Sequence, residues 1–170
     1  MSLDKLAIKI ARRDKRAFEQ LYEEMRRLVF SVCLGVVKDR GVAEEVTQDT
    51  FVTVWQKSAE FRGKGYKTWV LTVARNKALN ELRKRKRETP VDFAENEALG
   101  GAYLPDMDTG VALKAALSGL EEQDRQIVLL RSGGVKAKEI ARLLGLPRGT
   151  VSWRYAEALK RLKVVLEGER

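Results

Sequence analysis

The chain has 170 residues, with 33 Lys and Arg against 24 Asp and Glu, a net charge of +9 and a pI of about 9.8. That excess points to a polyanionic partner, nucleic acid or an anionic membrane surface, while a hydrophobic fraction of 44% excludes a disordered polycation. Histidine is absent, which excludes His triads, His general bases and His metal sites, and the single Cys33 excludes an intramolecular disulfide.

The N-terminal "MSLDKLAIKIARRDKRAF" mixes acid and base without a long apolar core, so it does not read as a signal peptide, and no run reaches the length of a membrane span. Leu3, Leu6, Ala7 and Ile10 keep helical spacing. After Asp14, a capping residue, Phe18, Leu21, Tyr22, Met25, Val29 and Val32 do the same. Cys33, inside "LVFSVCLGVV", reads as a small core residue, because apolar surroundings raise a thiol pKa. The absence of disulfides fits a reducing cytoplasm. "KDRG" at residues 38 to 41 breaks the pattern, and a third helix then aligns Val42, Val46, Phe51, Val54 and Trp55. On that helix Glu45, Gln48 and Asp49 share another face, and Glu44 and Gln48 are also i, i+4. Such a patch on a basic lobe is either a solvated face or a dock for a basic protein.

"FRGKGYK" interrupts at 61 to 67, and a helix from about Thr68 ends in the unbroken basic run Arg83 to Arg87. Cations sit well beside the negative pole of a helix dipole. Yet ten Lys and Arg lie between Arg62 and Arg87 against the single acid Glu81, which is too dense for a helix-end effect alone. From Glu88 to Val111 the composition reverses: Glu88, Asp92, Glu95, Glu97, Asp106 and Asp108, with no Lys or Arg, plus two of the three prolines. This reads as a flexible acidic linker, able to allow closed packing and an extended form alike. Without its six acids the rest of the chain carries 33 basic against 18 acidic residues, a net +15.

Beyond it, "VALKAALSGL" and "EEQDRQIVLLRSG" are amphipathic segments, followed by helix-turn-helix anatomy. Ile140, Ala141 and Leu144 belong to a first helix, which Gly145 closes. Leu146 plugs the turn, and Pro147 with Arg148 opens a second helix. Val151, Tyr155, Ala158, Leu159 and Leu162 are expected inward, with Arg148, Ser152, Trp153, Arg154, Lys160 and Arg161 outward. A helix displayed in this way enters a major groove. Trp153 has two readings, stacking on the DNA edge or packing on a neighbouring helix. The expected fold is all-α: two small helical domains, residues 1–87 and 111–170, joined by the linker 88–110, the second a four-helix domain with the helix-turn-helix.

"AFEQLYEEMRRLVFSVCLGVVKD", "AEEVTQDTFVTVW", "KTWVLTVARNKALNELRKRKR" and "ALSGLEEQDRQIVLLRSGGVKAKEIARLLGLPRGTVSWR" together resemble the extracytoplasmic-function branch of bacterial RNA polymerase sigma factors, from about Arg16 to Leu166. The resemblance implies a sigma-two-type domain, a sigma-four-type domain, and no enzymatic activity, cofactor, metal or small-molecule substrate. It implies that Glu45, Gln48 and Asp49 dock on the β′ coiled coil of the polymerase core, with the β subunit a further partner. For the minus-ten element it implies phosphate contacts from Arg75, Lys77, Arg83, Lys84 and Arg85, and base-edge contacts from Asn76 and Asn80. Phe61, Tyr66 or Trp69 would be stacking surfaces for an unstacked base, though Trp69 reads equally as core. Arg148, Thr150, Ser152, Trp153 and Arg154 would read the minus-thirty-five element of promoter DNA. An anti-sigma factor, a cytoplasmic bacterial location and a free monomer are also implied. Asn80 stands where the family commonly has Asp, and "GTVSWRYAEAL" departs from the usual basic recognition helix.

An autonomous helix-turn-helix regulator accounts for the second domain but not for the acidic patch. A nuclease would need Glu44, Glu45 and Asp49 to gather Mg²⁺, and on one helix they converge poorly. A membrane-surface role would need a broad apolar face flanked by cations, which the basic run lacks.

Overall fold

The computed structural model describes residues 2–88 and 111–168. Within them lie eight α-helices, one short 3-10 turn and no strand. The acidic stretch expected as a linker lies, from residue 89 to 110, outside the described residues.

Short polar side chains start the first three helices by accepting from amides that would otherwise lack partners. Ser2 accepts from the Lys5 N–H ahead of α1 (Leu3–Ala11), and Asp14 from the Arg16 and Ala17 N–H groups ahead of α2 (Lys15–Val37). Asp39 accepts from the Val42 N–H at 3.0 Å ahead of α3 (Arg40–Lys57). The break expected across residues 38 to 41 therefore shrinks to two residues. Lys38 takes a left-handed φ of 55° and closes α2 on the Leu34 carbonyl, and Asp39 caps α3 at once.

α2 is the axis of the molecule. Its buried side chains Ala17, Leu21, Met25, Val29, Val32 and Cys33 recur every three or four residues. They seat α2 against α1, α3 and α4 (Tyr66–Glu88). The seam with α3 is aromatic: Phe18 and Tyr22 each meet Phe51 edge-on, and Phe18 also meets Trp55 at 5.1 Å. Arg13 covers Trp55 from outside, its guanidinium 5.1 Å from the ring. Burial pushes the Cys33 thiol from its ordinary 9.0 up to about 12. It is neutral and inert at physiological pH, as expected of a core residue.

α4 begins two residues before the expected Thr68, and its start is held from far away in sequence. The Asp4 carboxylate on α1 accepts from the Tyr66 N–H at 2.8 Å and the Gly65 N–H at 3.4 Å. It thus supplies a cap that no local residue provides. The Tyr66 phenol is fully buried and shares a 2.6 Å hydrogen bond with the Ser58 hydroxyl, in the 3-10 turn Ser58–Glu60.

The remaining helices are α5 (Val111–Ser118), α6 (Glu122–Ser132), α7 (Ala137–Leu144) and α8 (Arg148–Gly168). Ala116, Leu117, Leu120, Val128, Leu129, Ala158 and Leu162 form a cluster confined to α5, α6, α8 and the residues joining them. Ile127, Leu130, Val135, Ile140, Ala141, Leu143 and Val151 belong instead to one cluster with the α1–α4 core. α6 packs on α2, and α7 packs on α4. Of the residues expected inward on α8, Leu159 is 42% exposed. Val151, Ala158 and Leu162 form the helix's buried line, and Leu159 sits about 100° around the helix from Ala158.

Asp4→Ala leaves the first amides of α4 without their carboxylate. The expected loss is about 1 kcal/mol, read as a fall in Tm of roughly 2–4 °C by calorimetry.

Candidate nucleic-acid interface

Three surfaces carry the residues singled out in the sequence. On α3, Val42, Ala43, Val46, Thr47, Thr50, Phe51 and Val54 are buried, which leaves Glu44, Glu45, Gln48 and Asp49 exposed on the opposite side. Glu44 is engaged by Arg40 at 3.2 Å, and no group of acids positioned to hold a metal ion occurs among the described residues. Val52, 54% exposed, and Gln56 continue the same line at helical spacing from Glu45, Gln48 and Asp49. The patch is thus longer than the sequence reading made it, and it has an apolar centre. Val52 was missed because it lies between Phe51 and Val54, both of which point inward; its i+3 spacing from Asp49 was the available signal.

The second surface is the outer side of α4. Val70, Leu71, Ala74 and Ala78 face the core, so Thr72, Asn76, Asn80, Arg83, Lys84 and Arg87 stand exposed as a stripe of hydroxyl, amides and cations. Thr72 was not expected there; it shares the four-residue repeat of Asn76 and Asn80. Arg75, Lys77 and Arg85 are half-buried at the sides of the stripe. Burial lowers the Arg75 pKa, but a guanidinium stays charged. Arg85 Nε donates to Glu81 at 3.2 Å, which neutralises the only acid of this segment.

Ahead of the stripe, Phe61, Tyr66 and Trp69 come together. Tyr66 and Trp69 stack at 5.4 Å with 20° between planes, and Phe61 lies 5.6 Å from Trp69. Tyr66 is wholly enclosed, so its ring supports the other two rather than facing solvent, while Phe61 and Trp69 are half-exposed. Gly63 and Gly65 take φ of 92° and 89° in the turn between them. A cleft of about 450 Å³ opens beside this loop, lined by Phe61, Arg62 and Gly63, by Ile8 of α1 and by Arg12 just after it.

The third surface is the helix-turn-helix. Gly145 closes α7 at a φ of 69°, and its N–H and that of Leu146 both return to the Ala141 carbonyl. Nothing crowds this glycine, so the left-handed backbone alone requires it. α8 then starts at Arg148, with Ser152 and Trp153 exposed and Thr150 partly so. Trp153 is 65% exposed, so most of its ring faces solvent. Arg154 differs from the expectation. It turns back to Asp124 on α6 at 3.0 Å and to Glu121 at 3.8 Å, because Asp124, only 9% exposed, needs a cation. Glu157 faces Lys160 at 3.3 Å. No helix among the described residues is long and apolar enough to cross a membrane.

Two family models match this chain, sigma-70 region 2 over residues 21–88 and sigma-70 region 4 over residues 110–162. Among curated proteins it is similar to the ECF RNA polymerase sigma factor SigK of Mycobacterium tuberculosis (strain ATCC 25618 / H37Rv). The identity is 28% over 180 residues, covering 97% of this chain and 94% of the relative. The ECF RNA polymerase sigma factor RpoE of Cereibacter sphaeroides is 30% identical over 157 residues, covering 89% and 87%. Among solved structures, the sigma factor RpoE crystallised with the anti-sigma factor NepR from Bartonella quintana gives a TM-score of 0.61 at 24% identity, covering 90% of this chain and 98% of that one. CnrH in complex with the cytosolic domain of CnrY gives 0.59 at 22% identity, covering 97% of each chain. These two likenesses concern the fold.

Since Arg154 neutralises a buried acid, its removal acts on the fold as well as on any DNA contact. Arg154→Ala is expected to lower stability by about 1–2 kcal/mol, whereas Ser152→Ala stays within about 0.5 kcal/mol of the wild type. Denaturant melts of the two variants make the comparison.

Proposed function

Because the chain belongs to the extracytoplasmic-function family of RNA polymerase sigma factors, we propose a division of work among its three surfaces. The protein is a transcription initiation factor, which binds the polymerase core and directs it to specific promoters; it is not an enzyme. Residues 1–87 act as the sigma-two-type domain, 88–110 as the linker and 111–170 as the sigma-four-type domain.

Glu45, Gln48 and Asp49, with Val52 and Gln56 beside them, are assigned to the β′ coiled coil. The observation that carries this reading is the character of that face: acids and amides around one exposed valine, on a chain of net charge +9. An autonomous regulator has no use for such a patch, and a basic coiled coil complements it.

The stripe on α4 is assigned to the minus-ten element. Asn76, Asn80 and the added Thr72 offer hydrogen bonds to base edges, while Arg75, Lys77, Arg83, Lys84 and Arg85 hold phosphates. Phe61 and Trp69, braced by the buried Tyr66, present apolar surface to an unstacked base. Arg148, Thr150, Ser152 and Trp153 are assigned to the minus-thirty-five element, and Arg154 joins them only by sharing its charge with Asp124. One of the two solved relatives was crystallised with an anti-sigma factor, and the same class of partner is proposed here. The site of action is the bacterial cytoplasm, beside the polymerase.

Gln48→Ala with Asp49→Lys is expected to abolish co-purification with core polymerase while stability changes by less than about 0.5 kcal/mol, since both side chains are exposed. Core binding at wild-type affinity would place the dock elsewhere.

Neutralising Arg83, Lys84 and Arg85 to Gln should weaken core-bound protein on single-stranded minus-ten oligonucleotides of every sequence, the salt slope falling by about 0.7 per lost contact. Asn80→Ala should leave that slope intact and blur discrimination among bases. Affinities across a salt series and a set of single-base variants separate the two roles; an unchanged slope after triple neutralisation reduces the run to a solvated helix end.

A further inference from the structure

We infer that Trp153 reads the 5-methyl group of a thymine, so that α8 recognises its site through guanine acceptors and a thymine methyl rather than through adenine or cytosine amino groups. This deepens, and rests on, the assignment of α8 to the minus-thirty-five element.

The shape of the exposed face comes first. Successive residues of α8 turn by about 100°. Gly149, Ser152, Trp153 and Ala156 therefore fall within an arc of about 100°, and all are exposed. Arg148, exposed too, stands at the edge of this arc beside Ser152. Val151, Ala158 and Leu162 form the buried line on the far side. Gly149, Ser152 and Ala156 carry small side chains or none, so the middle of the arc stays close to the helix backbone. A Cβ added at Gly149 would meet nothing within 4 Å, so packing inside the molecule does not demand glycine there. Trp153 is the tall member of the arc, and it is 65% exposed. A major groove is about 12 Å wide and about 8.5 Å deep. A helix with so low a face can sink toward the groove floor, which brings an indole at its side against base edges.

The chemistry of the face then selects the base. In the major groove guanine shows a pair of acceptors, adenine an acceptor and an amino group, cytosine an amino group, and thymine an acceptor and a methyl group. Adenine is held by the paired donor and acceptor of Asn or Gln, and α8 contains neither. Cytosine calls for a carboxylate. Glu157 is partly covered and already meets Lys160 at 3.3 Å, and Glu167 lies at the opposite end of the helix. Arg154 is held by Asp124 at 3.0 Å. The arc is left with the Arg148 guanidinium, which only donates, the Ser152 hydroxyl, and an indole with one donor and a wide apolar face. The guanidinium matches the acceptor pair of guanine. The apolar face of the indole matches the thymine methyl, the one apolar substituent that base pairs present in this groove. Removing that methyl from water is worth about fourfold in affinity.

The experiment removes the methyl from the DNA, so the wild-type protein needs no alteration. Full-length protein bound to core polymerase first selects upstream duplexes from a randomised pool. The favoured duplex is then resynthesised with each thymine in turn replaced by deoxyuridine, which lacks only the methyl group. At one position the replacement is expected to lower wild-type affinity about fourfold. Trp153→Ala is expected to bind the thymine and uracil duplexes alike, whereas Trp153→Phe, which keeps an apolar ring, still prefers thymine. Comparison with Trp153→Ala separates a contact from any effect of the methyl on duplex shape, because a shape effect survives the substitution. A favoured duplex without thymine, a wild type indifferent to uracil at every position, or a preference that persists in Trp153→Ala overturns the inference. Equal weakening of thymine and uracil duplexes in Trp153→Ala, with no wild-type preference, places the indole on the sugar-phosphate edge instead. A wild type that enriches no upstream sequence overturns the minus-thirty-five assignment itself. That failure is distinguishable because it shows at the selection, before any thymine is replaced.

Discussion

The apolar seam along α2 is the constraint on which the other elements depend. A helix of 23 residues whose buried positions include Leu21, Met25, Val29 and Val32 cannot stand alone in water. Each such side chain gains about 1.5–3 kcal/mol on burial. α1, α3 and α4 close around that seam, and their facing directions follow from it. Because Val46, Phe51 and Val54 must meet α2, Glu45, Gln48 and Asp49 are turned outward on α3. Because Val70, Leu71, Ala74 and Ala78 must do so on α4, the amides and cations between them form the outer stripe. Both proposed interfaces are the complements of one packing surface.

α2 also has a second side. Gly35 and Lys38 lie away from the deepest core positions, and α6 takes its place there. One helix therefore organises the N-terminal core and receives the C-terminal helices. Both contacts are apolar, since Ile127 and Leu130 of α6 belong to the same buried cluster as the α1–α4 core. To the second is added an ion pair between groups 39% and 27% exposed, of the sort worth at most about 1 kcal/mol.

Much of this was legible in the residues. Helical spacing gave α1 to α3, and the capping roles of Asp14 and Gly145 could be read directly from their positions. What escaped the reading was set by partners distant in sequence. α4 starts at Tyr66 because Asp4, 62 positions away, supplies its cap. Arg154 turns inward because Asp124, 30 positions away, is buried. Local periodicity placed Arg154 on the outer face of α8 correctly as far as one helix can say, but it carries no information about a neighbouring acid. Val52 failed for the opposite reason: its surroundings in sequence are apolar, and only the angle around α3 reveals its exposure. The close approach at Gly35 gave no signal, since a lone glycine within a helical pattern does not say what comes near it.

The cations expected to meet DNA can be ranked by what already holds them. Arg85 is bound to Glu81 at 3.2 Å with both side chains about one-third exposed. Such a pair contributes at most about 1 kcal/mol, so a phosphate can displace it. Lys67 gives its ammonium to the Gly133 carbonyl at 2.6 Å. Arg154 is held more firmly, because releasing it would strand the buried carboxylate of Asp124 at the α6–α8 contact. Arg83 is exposed on the stripe with one long hydrogen bond, 3.5 Å, to the Asn80 side-chain oxygen, while Lys84 and, at the start of α8, Arg148 are also exposed. On the proposed promoter reading, Arg83, Lys84 and Arg148 are the cations most open to a phosphate, and Arg85 becomes so by exchange. Arg154 stays with the fold, where it sets the orientation of α8 against α6 and so aims the residues beside it, Ser152 and Trp153.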